Sequence, residues 1–216
     1  MEFGLACEGI TDQVVLRNIL IGHFRDEDLF DNTSFLQPPF DETTKKQSDF
    51  SNWTLLLKYL KSEKFRDDTY NFDFLVIQVD TDVSAESGFD VSHYDENNEL
   101  ISDDLLIQNT TNRLIKEINA GQQCFYEENS EKIIFSLSVH SIECWLLAFY
   151  ATGTKAKKKV NCFSSLEFHL SKKIDKNHDS YVNLSVPFTK KKNIINACEN
   201  SFSLSFFIER LNKITY

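Results

Sequence analysis

Apolar and polar positions follow two periods along the chain, and the changes of period mark its elements. Phe3-Gly4-Leu5-Ala6-Cys7 is a short apolar run stopped by Glu8-Gly9, the pattern of a buried strand that ends in a turn. Thr11 offers a cap, and Val14, Val15, Leu16, Ile19, Leu20 and Phe24 recur at helical spacing, which predicts an amphipathic helix over 12–24 packed on a sheet. Residues 25–50 are polar and broken by Pro38-Pro39, with Ser34-Phe35-Leu36 as a short strand, and predict a variable loop. Helical spacing returns from Trp53 to Phe65. Phe72 to Val79 is then almost continuously apolar, as a central parallel strand must be when helices cover both its faces, and it ends abruptly at Asp80-Thr81-Asp82.

Residues 83–102 predict a second loop and Asp103 to Ile118 a helix, through Leu105, Leu106, Leu114, Ile115 and Ile118. Lys132 to Val139 forms a further strand that runs into His140-Ser141, a cap for a helix whose apolar face is Ile142, Trp145, Leu146 and Phe149. Strand and helix alternate, which predicts an α/β fold: a mostly parallel, Rossmann-like sheet flanked by helices over residues 1–150. Beyond Gly153 the texture turns basic, with helical stretches near 164–174 and 193–213, and predicts a mainly helical C-terminal appendage over 151–216.

Charge divides along the same line. Residues 1–150 hold 11 Lys and Arg against 28 Asp and Glu, whereas residues 151–216 hold 12 against 5. An acidic body with a basic tail suits a protein that gathers cations at one place and meets a polyanion at another, although the two halves could equally attract each other or a partner protein. At 216 residues the chain suits one ordinary domain with a short extension. No apolar run approaches the roughly 20 residues needed to span a bilayer, and the N-terminus has neither a basic leader nor a cleavage pattern, so the expected location is cytoplasmic. The five cysteines are scattered through apolar segments without CxxC or Cys/His spacing and read as reduced core residues.

Open α/β sheets gather functional groups at the carboxyl ends of their strands. The first strand ends at Glu8, the apolar strand at Asp80 and Asp82, and the last reaches Glu143 within a few residues. Carboxylates crowded into one crevice repel each other unless a cation neutralises them, and hard oxygen donors select Mg²⁺ or Mn²⁺. Asp80 and Asp82 are two apart and can face one ion, and Asp12 lies one helical turn beyond Glu8. Asp12 and Glu143 also sit where a helix dipole alone favours an acid. His140 stands at a strand end, suited to act as a base or as a structural hydrogen-bonding group.

A strand ending in Glu-Gly, then a helix, then an apolar strand ending in Asp-x-Asp resembles the TOPRIM domain of topoisomerases, primases and OLD-family nucleases. Glu8-Gly9-Ile10-Thr11-Asp12, with its second acid four residues on, is most similar to the OLD type, and Ser141 to Leu147 resembles a segment of small stand-alone TOPRIM proteins from bacterial phage-defence loci. The resemblance spans residues 1–150. It implies a nuclease acting on DNA or RNA, with Glu8, Asp80, Asp82 and Glu143 catalytic and Glu8, Asp12, Asp80 and Asp82 around Mg²⁺ or Mn²⁺. It also implies a phosphate-gripping lysine, for which Lys157, Lys158, Lys159 and Lys190, Lys191, Lys192 are the candidates. The chain carries no GxxxxGK[ST] loop, so any ATPase or sensor of such a system is a separate protein, and self-association stays open. Two other readings compete: a haloacid-dehalogenase-like phosphatase built on Asp80-Thr81-Asp82, and a non-catalytic interaction module.

Overall fold

The computed structural model describes residues 1–41, 46–47 and 52–214. Strand β1 (Phe3–Ala6) leads into helix α1 (Ile10–Phe24) and parallel strand β2 (Thr33–Gln37), followed by the two-residue antiparallel pair β3 (Phe40–Asp41) and β4 (Lys46–Gln47). Residues 42–45 and 48–50 of the expected loop lie outside the described residues. Two helices follow where one was expected, α2 (Trp53–Leu60) and α3 (Glu63–Asn71). Ser62 causes the break: its hydroxyl accepts from Phe65 N at 3.2 Å and restarts the helix on a new cap. Strand β5 (Phe74–Asp80), helix α4 (Asp103–Gly121), the short α5 (Phe125–Asn129), strand β6 (Ile133–Ser138) and helix α6 (Ile142–Tyr150) complete the alternation. The C-terminal segment adds α7 (Cys162–Leu170), α8 (His178–Ser185), α9 (Lys191–Cys198) and α10 (Phe202–Leu211). The expected 193–213 helix is broken before α10 by Ser201, which caps Leu204 N.

The four main strands form one parallel sheet in the order β2-β1-β5-β6. The chain therefore moves outward from β1 to β2 through α1, returns to the other side of β1 as β5, and moves outward again to β6. The reversal falls between β1 and β5, and that is where an open α/β sheet leaves a crevice at its carboxyl edge. The interiors of β1, β5 and β6 are buried on both faces, which is why they read as continuous apolar runs. One face is covered by α2, α3, α4 and α5 through Leu56, Leu60, Phe65, Leu114, Ile118 and Phe125.

The other face is covered by α1 and α6, and beyond them by the C-terminal helices. Tyr181, Leu184, Phe188, Ile194, Leu204, Phe207 and Leu211 belong to the same core as Val15, Ile19, Trp145 and Leu146. The segment expected as an appendage is thus packed into the body. Its basic surface concealed this in the sequence, because its apolar positions are sparse and fall on four short helices. Helix α1, expected to be amphipathic, is buried nearly all round, between the sheet on one side and α8, α9 and the turn at Val186–Thr189 on the other. Two of its polar residues find partners inside: Asn18 donates to Ser185 Oγ at 2.7 Å, and Gln13 Nε2 donates to Leu5 O, Gln37 O and Pro38 O. Gly22 permits the closest approach, since a Cβ there would run into the Phe188 carbonyl. Among the described residues no helix is long and apolar enough to cross a membrane.

Candidate functional site

Glu8 and Asp12 come from the turn between β1 and α1. Gly9 is the N-cap residue of α1, and its N–H donates to Asp12 Oδ2 at 2.8 Å, so Asp12 closes the turn that presents Glu8. The Asp80 backbone hydrogen-bonds to Glu8, yet Glu8 Oε2 is buried without a hydrogen-bond partner among the described residues. Desolvation, then Asp82 and Glu86, push the Glu8 carboxyl up to about 7.

Asp80 ends β5, half-buried, and its Oδ1 accepts from Gln78 Nε2 at 2.8 Å, Ser138 Oγ at 2.6 Å and Ile142 N at 3.0 Å. One carboxylate thus ties the ends of β5 and β6 to the start of α6. Even so, burial followed by Asp12, Glu143 and Glu8 holds Asp80 well above the usual carboxylate range, and burial followed by Glu8 and Glu143 does the same to Asp12. Asp82 lies outside the strand, in the turn Thr81–Val83, and is exposed. Desolvation on its crevice side, then Glu143, raise it more modestly. The same-face projection expected for Asp80 and Asp82 therefore does not come from strand alternation, because the strand has already ended.

Glu143 sits in the first turn of α6, only 3% exposed. Burial alone would raise its pKa, but hydrogen bonds from Ser141 and Tyr181 and the Lys176 ammonium outweigh this and hold it below its ordinary value. Tyr181 Oη donates to Glu143 Oε1, and Lys176 Nζ stands 3.1 Å from the same oxygen. Tyr181 is itself buried and its hydroxyl is held far above the usual tyrosine range by desolvation, then Glu143. Burial works against the Lys176 charge, but Glu143, Asp80 and Asp12 together raise its pKa. Lys176 also opposes the charges of Glu8 and Asp82. The five acids named from the sequence thus share one electrostatic neighbourhood, and a cation from the C-terminal segment stands among them.

That cation is neither of the expected basic runs. Lys158 Nζ donates to Ser165 Oγ at 2.7 Å and Lys159 pairs with Asp103, both beside the crevice. Lys190, Lys191 and Lys192 lie at the opposite end of α1, where Lys191 and, more strongly, burial push His23 down to about 4. The 15 residues of α1 separate that end from Gly9, on the order of 20 Å at 1.5 Å per residue. Lys176 was missed because nothing in Lys172-Lys173-Ile174-Asp175-Lys176-Asn177 distinguishes one lysine from the next. Tyr181 carried a faint signal, a lone aromatic in a polar stretch.

His140 has a left-handed backbone (φ 62) and is woven into the same edge: its N–H donates to Thr81 Oγ1 at 2.8 Å and its carbonyl accepts from Asp82 N at 3.1 Å. Burial, then His93, lower its pKa. His93 Nε2 lies 2.7 Å from Thr81 O and 2.9 Å from Ser84 Oγ. The expectation of reduced cysteines fails at one pair. Cys144 and Cys162 form a disulfide, joined because the turn between α6 and α7 folds α7 back on α6, an approach that their spacing of 18 residues does not signal. Cys7, Cys124 and Cys198 are free.

The donor set is all hard oxygen, one buried carboxylate oxygen is unpartnered, and four carboxyls are raised by one another and by burial. These features suit a divalent cation. Among the described residues, however, no three of these side chains close on one point as a finished metal cage. The donors match the ion in chemistry and would have to draw together around it, with Lys176 in the meantime supplying the counter-charge. Comparison with family models, curated proteins and solved structures finds no match for the chain.

Proposed function

We propose that the chain is a TOPRIM-type nuclease that hydrolyses phosphodiester bonds of DNA or RNA with Mg²⁺ or Mn²⁺. The observation that carries the reading is positional: Glu8, Asp80 and Asp82 stand at or just beyond the carboxyl ends of β1 and β5, the two strands that flank the reversal in strand order, the place where such sheets bind phosphorylated ligands. Glu8, Asp80 and Asp82 would hold the ion, with Asp12 behind Glu8. A divalent cation bound there supplies Lewis-acid stabilisation of phosphoryl charge and makes water a better nucleophile at neutral pH. The protein's own groups do the rest. Asp12 fixes the turn that presents Glu8, and the three donors on Asp80 fix its carboxylate. Lys176, held by Glu143, offers a positive charge to a non-bridging phosphate oxygen. Tyr181 fixes Glu143 from the other side.

A phosphatase centred on Asp80 would leave the convergence of Glu8, Asp12 and Glu143 without a use. The resemblance to stand-alone TOPRIM proteins adds the proposal that this is the effector of an antiphage system controlled by a separate ATPase. The test incubates labelled DNA and RNA with the protein, alone and with its neighbouring-gene partner, in Mg²⁺ and in Mn²⁺. Wild type should cleave, while Asp80→Ala and Glu8→Ala should each lose at least on the order of 100-fold in rate and bind Mn²⁺ more weakly in calorimetry. Cleavage that survives both substitutions, or is never seen, sinks the reading.

A further inference from the structure

Beside the acidic crevice runs a groove of about 690 Å³, lined on its near side by His93 and His140 and on its far side by Lys159, Val160 and Phe202. Its rim is unusually apolar for an exposed surface: Leu100 is 73% exposed, Val160 51% and Phe202 49%. Phe202 opens α10 on the helix's outer side, while Leu204, Phe207 and Leu211 fill the core beneath. Its ring stacks on Phe206, centroids 6.2 Å apart, and so is presented as a broad face. On the far side Phe202 meets a second depression formed with Lys157, Lys158 and Lys159. From the acids outward, the surface therefore passes from imidazoles to an exposed aromatic ring to a cluster of lysines.

Resting on the nuclease reading, we infer that this groove holds a single-stranded stretch of the nucleic acid next to the bond that is cut, with a base stacked on Phe202 and its phosphates along Lys157 and Lys158. Aromatic faces interleaved with cations suit single strands, whose bases are free to stack, and give little to a duplex, whose bases are already stacked and turned inward. Charge points the same way. A duplex needs a wide basic face, but residues 1–150 carry 28 acids against 11 cations, and Lys190–Lys192 lie at the far end of α1. The lysines beside Phe202 are three consecutive residues around one small depression, not a wide basic face. Asp103 and Asp104 also line the groove, Asp103 paired with Lys159, so the phosphates are placed beyond this acidic edge, across Phe202, on Lys157 and on the donors Lys158 keeps besides its bond to Ser165.

The test measures anisotropy of short labelled oligonucleotides, single-stranded DNA, single-stranded RNA and the matching duplexes, with Ca²⁺ in place of Mg²⁺. Wild type should bind single strands more tightly than duplexes. Phe202→Ala should weaken single-strand binding on the order of tenfold, the scale of one lost stacking platform, and Phe202→Trp should retain it. Lys157→Gln, at an exposed position, should weaken binding and flatten its salt dependence. Equal affinity for duplex and single strand, or unchanged binding by both Phe202→Ala and Lys157→Gln, overturns the inference while cleavage by the same preparations leaves the nuclease reading standing. Absence of any binding overturns the inference as well, and absence of cleavage alongside it removes the nuclease reading too.

Discussion

Glu8 and Glu143 are carboxyls of one crevice that their surroundings push in opposite directions, and the difference can be read in pH-dependent stability. The Glu8 pKa lies at about 7 in the folded chain against an ordinary 4.5. Between those values the folded state keeps a proton that the unfolded state has lost, so in a chelator Glu8 costs stability as pH rises through that window. Glu8→Gln does not titrate. Relative to wild type it should gain about 2 kcal/mol between pH 4.5 and 7.5, discounting the full shift for partial exposure. Thermal melts at a series of pH values in EDTA check this, and a constant difference would refute it. Glu143 behaves the other way: its pKa is depressed, so its contribution is present above about 4.5 and lost as pH falls through the lower folded value. Tyr181→Phe removes one of the donors responsible and should cost about 2 kcal/mol at pH 7, and less at pH 4. None of this was legible in the sequence beyond the acids themselves. Glu8, Asp80 and Asp82 could be read because strand ends announce themselves through abrupt polarity. Lys176 could not, because its place depends on how the connection between α7 and α8 crosses the carboxyl edge.

At the level of elements, legibility followed burial on both faces. Strands β1, β5 and β6 are covered above and below, so their runs of apolar residues leave little freedom of interpretation. Strand β2 lies at the sheet edge, half-exposed, and read only as Ser34-Phe35-Leu36. Helix α8 escaped notice because its inward residues, Tyr181, Leu184 and Ser185, include two polar ones that make specific hydrogen bonds to α6 and α1. The contact between α1 and the Val186–Thr189 turn depends on Gly22. Gly22→Ala would set a methyl group against the Phe188 carbonyl, and the backbone on one side must retreat. The expected cost is about 2 kcal/mol or more, typical of overpacking, seen as a lower urea midpoint at unchanged slope. A variant as stable as wild type would mean that the turn yields without strain.

Over the whole molecule, the split between acidic body and basic tail does not describe two separable parts. Seven of the tail's 12 cations go to three places: Lys176 among the acids, Lys157–Lys159 around the depression next to the groove, and Lys190–Lys192 at the far end of α1. Its apolar residues complete the core over α1 and α6, where the Trp145 ring stacks on Phe207 at 5.8 Å and Trp145 Nε1 donates to Ser203 Oγ at 2.8 Å. A chain cut after residue 151 would bare that face and lose the burial of Tyr181, Leu184, Phe188, Ile194, Leu204, Phe207 and Leu211. At roughly 1.5–3 kcal/mol for each large apolar side chain, the loss matches or exceeds the 5–15 kcal/mol of an ordinary domain. Residues 1–151 alone should therefore lack a cooperative melt, lose the near-ultraviolet signal of Trp145 and be cleaved rapidly by protease. A sharp thermal transition from that fragment would show instead that the sheet and its first helices carry their own stability, and that the C-terminal helices serve chiefly to bring Lys176 and Tyr181 to the acids.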